Sequence, residues 1–233
     1  MKPEALEQQI AGLAELDEPV RRSLYLFVAD RPGEVSREEA ARAMGISRTL
    51  AGFHLDRLAE AGLLAISFRR LTGKAGPGAG RPAKLYRRSN RQLEVTLPER
   101  RYALAASILA TALDESSSPQ TRRALRNSAR RLGRRIGEES KARAKSRPGR
   151  NRLLDGTVAA LAENGYEPER QPGEICLRNC PFHALVSEHK ELVCGMNLAL
   201  IQGVVEGSEL PGGKPVLAPR PGRCCVTLRL RDK

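Results

Sequence analysis

The sequence predicts a mostly α protein with a small β component: an N-terminal domain over 1–95, a helical segment over 96–148 and a small α+β domain over 149–233. Three observations carry that expectation. From Val35 to Leu64, apolar residues recur at helical spacing on both sides of Gly45. Leu63–Phe68 and Arg81–Arg87 are strand-like runs around a Gly/Pro loop, GKAGPGAG at 73–80. Beyond Asn151, helical and strand-like runs alternate without a repeat or a phosphate loop. A chain of 233 residues has room for two modest cores.

Residues 1 to about 15 read as a frayed helix or tail. A helix over Glu18–Ala29 brings Val20, Leu24, Phe27 and Val28 to a core, and Arg31-Pro32-Gly33 stops it. Ser36 is placed to cap a short helix with Ala40, Ala41 and Met44 on its apolar stripe. Gly45 suits the left-handed residue that ends this helix, and Ile46 plugs the turn. Ser47 caps a second helix, with Leu50, Phe53, Leu55 and Leu58 expected inward and Arg48, Thr49, His54 and Arg57 outward. Two helices joined by a tight turn, the second with a polar face, make the helix-turn-helix that enters a DNA major groove.

The hairpin that follows reads as a wing. Between Ala61 and Leu93 stand eight Lys/Arg residues and no Asp or Glu. Over roughly residues 15–90 the chain resembles the winged-helix bacterial repressors of the ArsR and DeoR type, where RPAKLY often opens the returning wing strand. The resemblance implies a sequence-specific regulator of transcription, a repressor, on double-stranded DNA. Arg48, Thr49, His54 and Arg57 would then face bases or phosphates, with Ser47 turning the helix N-terminus to the backbone. Arg69, Arg70, Lys74, Arg81 and Lys84 would hold flanking phosphates or the minor groove.

Bulk charge agrees. The net charge of +13 and pI near 10.1 favour a polyanionic partner, without separating DNA from RNA or an anionic membrane. No apolar run approaches the ~18 residues of a membrane span, and the acidic N-terminus does not read as a signal peptide, so a cytoplasmic protein with reduced thiols is expected. After the wing, Tyr102, Ala105, Ile108, Leu109, Ala112 and Leu113 make one broad apolar helix face. A long helix follows over about Gln120–Lys145, with Leu125, Leu132 and Ile136 at near-heptad spacing. Thr121–Arg152 holds thirteen basic residues against Glu138 and Glu139. This helix pair is expected to form a homodimer, because one winged helix reads too few bases to be selective. Its charge is read either as a solvated face or as extra phosphate contacts.

All five cysteines lie near the C-terminus: Cys176, Cys180, Cys194, Cys224 and Cys225. If 174–180 is extended, Cys176 and Cys180 stand about 13 Å apart and cannot share one metal. Cys224 and Cys225, as strand neighbours, point to opposite faces, so one of them is the expected ligand. The surrounding sequence, LRNCPFHALVSEHKELVCGMN and then RPGRCCV, resembles the effector domain of SufR-like iron–sulfur-responsive repressors. That resemblance implies an iron–sulfur cluster on Cys180, Cys194 and one of Cys224 or Cys225, with cluster loss changing DNA affinity. A small molecule, a water, His183 or Cys176 would fill a fourth position. Zinc stays open, as does a set of buried thiols without metal, in which case the C-terminal domain only dimerises or binds a partner. His189, between Glu188 and Lys190, reads as part of a solvated face. A thiol enzyme on Cys180 and His183 is disfavoured, since no carboxylate or glycine-rich oxyanion turn accompanies them; no catalytic residue is assigned.

Overall fold

The structure is a computed structural model and describes residues 6–70, 82–95, 101–116, 118–143 and 149–231. Of these, 57% are helical and 16% extended, which bears out the mostly α expectation. The chain divides into two compact units, Met1–Arg100 and Arg101–Lys233. The segment expected to stand apart as 96–148 is therefore not a domain of its own, since its two helices build the second unit.

The first unit runs α1 (Leu6–Ala14), α2 (Pro19–Asp30), β1 (Val35–Ser36), α3 (Arg37–Met44), α4 (Arg48–Glu60), β2 (Leu64–Arg69) and β3 (Ala83–Arg88). Caps set most of these boundaries. The Glu18 carboxylate accepts from the N–H groups of Val20 and Arg21 at 3.0 and 2.6 Å, ahead of Pro19 at the first helical position. Ser36 and Ser47 each accept from the N–H three residues on, at 3.1 Å, and start α3 and α4. Gly45 closes α3 at φ 66°, where a side chain would be strained. The sheet order is β1-β3-β2, all antiparallel, with Ile66 opposite Tyr86 and Phe68 opposite Lys84. Two-residue β1 is an addition to the hairpin expected from sequence. Leu24, Val28, Val35, Leu55, Leu58, Leu64 and Tyr86 form the core between helices and sheet.

The second unit runs α5 (Tyr102–Ser116), α6 (Pro119–Ala142), α7 (Arg150–Glu163), β4 (Pro168–Gln171), β5 (Glu174–Leu177), α8 (His183–Val186), α9 (Lys190–Gly207), β6 (Gly213–Leu217) and β7 (Val226–Leu230). Its antiparallel sheet has the order β4-β5-β7-β6. Both edge strands contain a proline, Pro168 and Pro215, which removes a ladder donor where one is least needed. Ile175, Leu177, Val226 and Leu228 of the two central strands pack with Leu161, Tyr166, Ile201 and Val204.

The long basic helix α6 is fixed within its own unit. Gly133 and Gly137 of α6 meet Gly203 and Gly207 of α9, two glycines four apart on each helix. A Cβ on Gly137 would lie 2.6 Å from Ser208 N, and one on Gly203 would lie 2.8 Å from Arg134 N. Each would approach a carbonyl oxygen of the facing helix closer still. Much of the α6 charge is also used internally. Arg130 and Arg134 pair with Glu206, Lys141 with Glu209, and Arg143 with Glu163.

Candidate nucleic-acid interface and cysteine cluster

Helix α4 turns its faces differently from the expectation. Ala51, Gly52, His54, Leu55 and Leu58 are buried, while Leu50 and Phe53 are 40% and 59% exposed. His54, expected to point at DNA, is only 7% exposed and sits 3.5 Å from the Glu18 carboxylate. Beside it the Arg37 side chain covers Gly52, where a Cβ would come within 3.3 Å of Arg37 Cδ. His54 falls on the stripe of Ala51, Leu55 and Leu58 at helical spacing and is carried inward, which leaves Phe53 outward.

The outward face of α4 is therefore Arg48, Thr49, Leu50, Phe53 and Arg57. Its two arginines lean on acidic neighbours: Arg48 on Glu38 at 2.8 Å, and Arg57 on Glu15 at 2.8 Å and Glu60 at 3.7 Å. Ser47 and Thr49 are exposed at the N-terminus of the helix. Such exposed pairs are worth little and exchange readily for phosphate.

Asp56, which sequence reasoning passed over, ties α4 to the sheet. It accepts from Arg37 Nη2 at 2.6 Å, Lys84 Nζ at 2.7 Å and Tyr86 Oη at 2.6 Å, and Tyr86 in turn accepts from Arg37 Nε at 2.8 Å. Burial opposes its ionisation, but these three donors together outweigh burial and hold the carboxyl below the usual range. Burial and the bond donated to Asp56 push the Tyr86 phenol up to about 12. Lys84, expected on DNA, is thus committed to the fold. Arg69 leans on Glu34 at 3.5 Å and Arg70 is exposed. Lys74 and Arg81 lie outside the described residues.

These features decide the N-terminal unit. Residues 16–66 match the family model of the helix-turn-helix domain. This stretch is a helix-turn-helix domain. The match supports a DNA-binding transcription regulator, with a helix-turn-helix of the winged-helix type over these residues. Neither the curated proteins nor the solved structures return a match to the chain. Among the described residues, no helix is long and apolar enough to cross a membrane.

In the second unit, four thiols from three segments come together. Cys180 lies past the end of β5, Cys194 on α9, and Cys224 and Cys225 just before β7. Because β7 begins at Val226, strand alternation does not reach Cys224 and Cys225, and each faces another cysteine. Cys180 lies beside Cys224, and Cys194 beside Cys225. Charge on Cys224 is felt by Cys194 as well as Cys180, so the two pairs are neighbours. The Cys180 donor, the Asn197 amide at 3.3 Å and the N–H groups of Val226 and Cys225 lower the Cys224 thiol to about 7, against burial. Burial and donation to Cys225 push Cys194 up to about 12. The Tyr166 hydroxyl donates to Asn197 Oδ1 at 2.5 Å, so a buried Tyr166–Asn197 chain orients Cys224. That chain was not anticipated from sequence.

Cys176 belongs elsewhere: it is buried in β5, 3.2 Å from Arg220 and 3.4 Å from Glu174 and Gln171. His183 is exposed at the start of α8. His189, expected on a solvated face, is buried; its Nδ1 lies 2.7 Å from Asp114 Oδ2 and its Nε2 3.4 Å from Thr111. Among the described residues, no three His, Cys, Asp or Glu side chains close on a single point as a metal-ion site does. An all-sulfur donor set is one that either zinc or an iron–sulfur cluster accepts.

Proposed function

We propose that this regulator is a homodimeric, cytoplasmic repressor that holds an iron–sulfur cluster on Cys180, Cys194, Cys224 and Cys225, and whose affinity for its operator follows the state of that cluster. One observation supports the sensing half of this reading: four thiols from three segments lie together as two adjacent pairs. Bound there, a cluster supplies a group that redox conditions or iron supply can remove or alter. The chain's own part is to bring together a loop, the start of α9 and the lead-in to β7. Loss of what joins them releases α9 at its Cys194 end. Dimerisation is assigned to α5, where Tyr102, Leu104, Ile108 and Leu109 are all exposed. Helix α6, the other candidate, has its glycine face occupied by α9.

The test is metal content after anaerobic purification of the full chain. Near-stoichiometric iron and sulfide, with a broad absorbance band near ~400 nm, is expected. Cys180→Ser and Cys194→Ser should each abolish retention, and Cys224→Ser and Cys225→Ser should both weaken it, whereas Cys176→Ser should have little effect. Zinc in place of iron and sulfide would replace the cluster with a zinc site. Protein with neither metal, or full metal in the Cys180→Ser/Cys194→Ser double variant, would refute the sensing reading and leave a C-terminal domain that only dimerises or binds a partner.

A further inference from the structure

The outward face of α4 has an apolar centre between its charged ends. Phe53 stands in the middle of the outward face of α4, on one row with Thr49 and Arg57, each four residues away. Leu50, three residues before it, is exposed beside it. An exposed phenylalanine costs solubility and adds nothing to this core, which closes on Leu55 and Leu58. Arg48 and Arg57 at the ends of this face supply the charge that draws a polyanion, so the apolar centre sits where base edges come closest. In the major groove the one apolar group on a base edge is the thymine C5-methyl, which side chains such as phenylalanine contact.

We propose that Phe53, with Leu50 beside it, is the specificity element of this domain and reads a thymine methyl in the major groove. The inference rests on DNA binding by the helix-turn-helix. It does not depend on the cysteine cluster or on dimerisation. Phe53 packs edge-on against His54, with ring centroids 5.2 Å apart and planes at 69°, which limits its rotation and aims the ring outward.

The experiment uses the full chain. Duplexes enriched from a random library by the wild-type protein are expected to require thymine at a defined position. Replacing that thymine with deoxyuridine, which lacks only the methyl, should weaken wild-type binding about fourfold, the worth of one buried methyl group. Phe53→Ala should bind both duplexes alike, while Phe53→Leu keeps part of the discrimination. Because Phe53 is exposed, both variants should unfold at the wild-type urea midpoint. Equal sensitivity to the methyl in wild type and Phe53→Ala would overturn the assignment. So would an enriched site without a required thymine, or a change of oligomeric state in Phe53→Ala, which would place the ring between protein copies. Enrichment of no sequence at all would instead remove the DNA-binding reading itself, and this inference with it.

Discussion

Asp56 shows how much one partly exposed carboxylate organises. It holds Arg37, Lys84 and Tyr86, and so ties α3, α4 and β3 into one frame behind the DNA-facing surface. Its carboxyl titrates lower in the folded chain than in the unfolded one. The stability it contributes is therefore complete above the unfolded value and is lost as pH falls through the folded one. Asp56→Asn should cost the N-terminal unit about 1–2 kcal/mol at neutral pH, a range discounted for solvent screening of three charged or hydroxyl donors. Urea titrations at pH 7 and below the carboxylate range should show the difference between wild type and Asp56→Asn shrinking as the pH drops. A difference that stayed constant would mean that packing, not ionisation, is what the substitution removes. Lys84 belongs to the same argument: its position in a basic wing suggests a phosphate contact, but its nearest anion is in its own chain.

Among the elements, the pairing of α6 with α9 has the least tolerance. Four glycines let the two backbones touch where any side chain would overlap a carbonyl oxygen. Helix α6 therefore cannot also offer that face to a second copy. Gly203→Ala is expected to destabilise the second unit by about 3 kcal/mol or more, since backbone cannot move aside as a flexible side chain does. Urea unfolding of the full chain, followed by circular dichroism, should show the helical signal of the second unit lost earlier. Gly195, which has open space around its Cβ position on the same helix, is the control, and Gly195→Ala should be neutral or slightly stabilising. Comparable losses at Gly195 and Gly203 would show that helix propensity rather than close approach is being measured.

For the molecule as a whole, the proposed dimer would use α5 to bring two recognition helices to one operator. Its Ile108 and Leu109 are more than half exposed and lie on a helix of 15 residues whose charged residues, Asp114 and Glu115, stand near its C-terminal end. An aspartate at either position would place a charge in an apolar contact and forfeit ~1.5–3 kcal/mol of side-chain burial. Ile108→Asp and Leu109→Asp should each weaken dimerisation at least about tenfold by sedimentation equilibrium. Operator affinity should fall with it, while the melting of each unit is preserved. Dimers of unchanged strength in both variants would move the interface off α5.

The sequence alone determined the helix-turn-helix. Its signals act within a few residues: Ser36 and Ser47 reach the third N–H beyond them, Gly45 bends its own backbone, and the hairpin strands announce themselves by composition. The same locality made strand-like runs of the second unit legible, and put forward Cys180, Cys194 and the Cys224-Cys225 pair as candidates. Tertiary structure alone decided which way those elements face. Residue polarity says that Phe53 goes in and His54 comes out, but the core takes the stripe of Ala51, His54, Leu55 and Leu58 and leaves Phe53 outside. Strand parity separates Cys224 from Cys225, but the strand starts only at Val226, beyond both, and distant segments bring each thiol a different neighbour. The near-heptad on α6 was visible, yet its glycines found their complement on α9, some seventy residues later. A local pattern fixes a backbone conformation because few dihedrals are involved; the choice of partner depends on contacts that exist only once the chain has closed on itself.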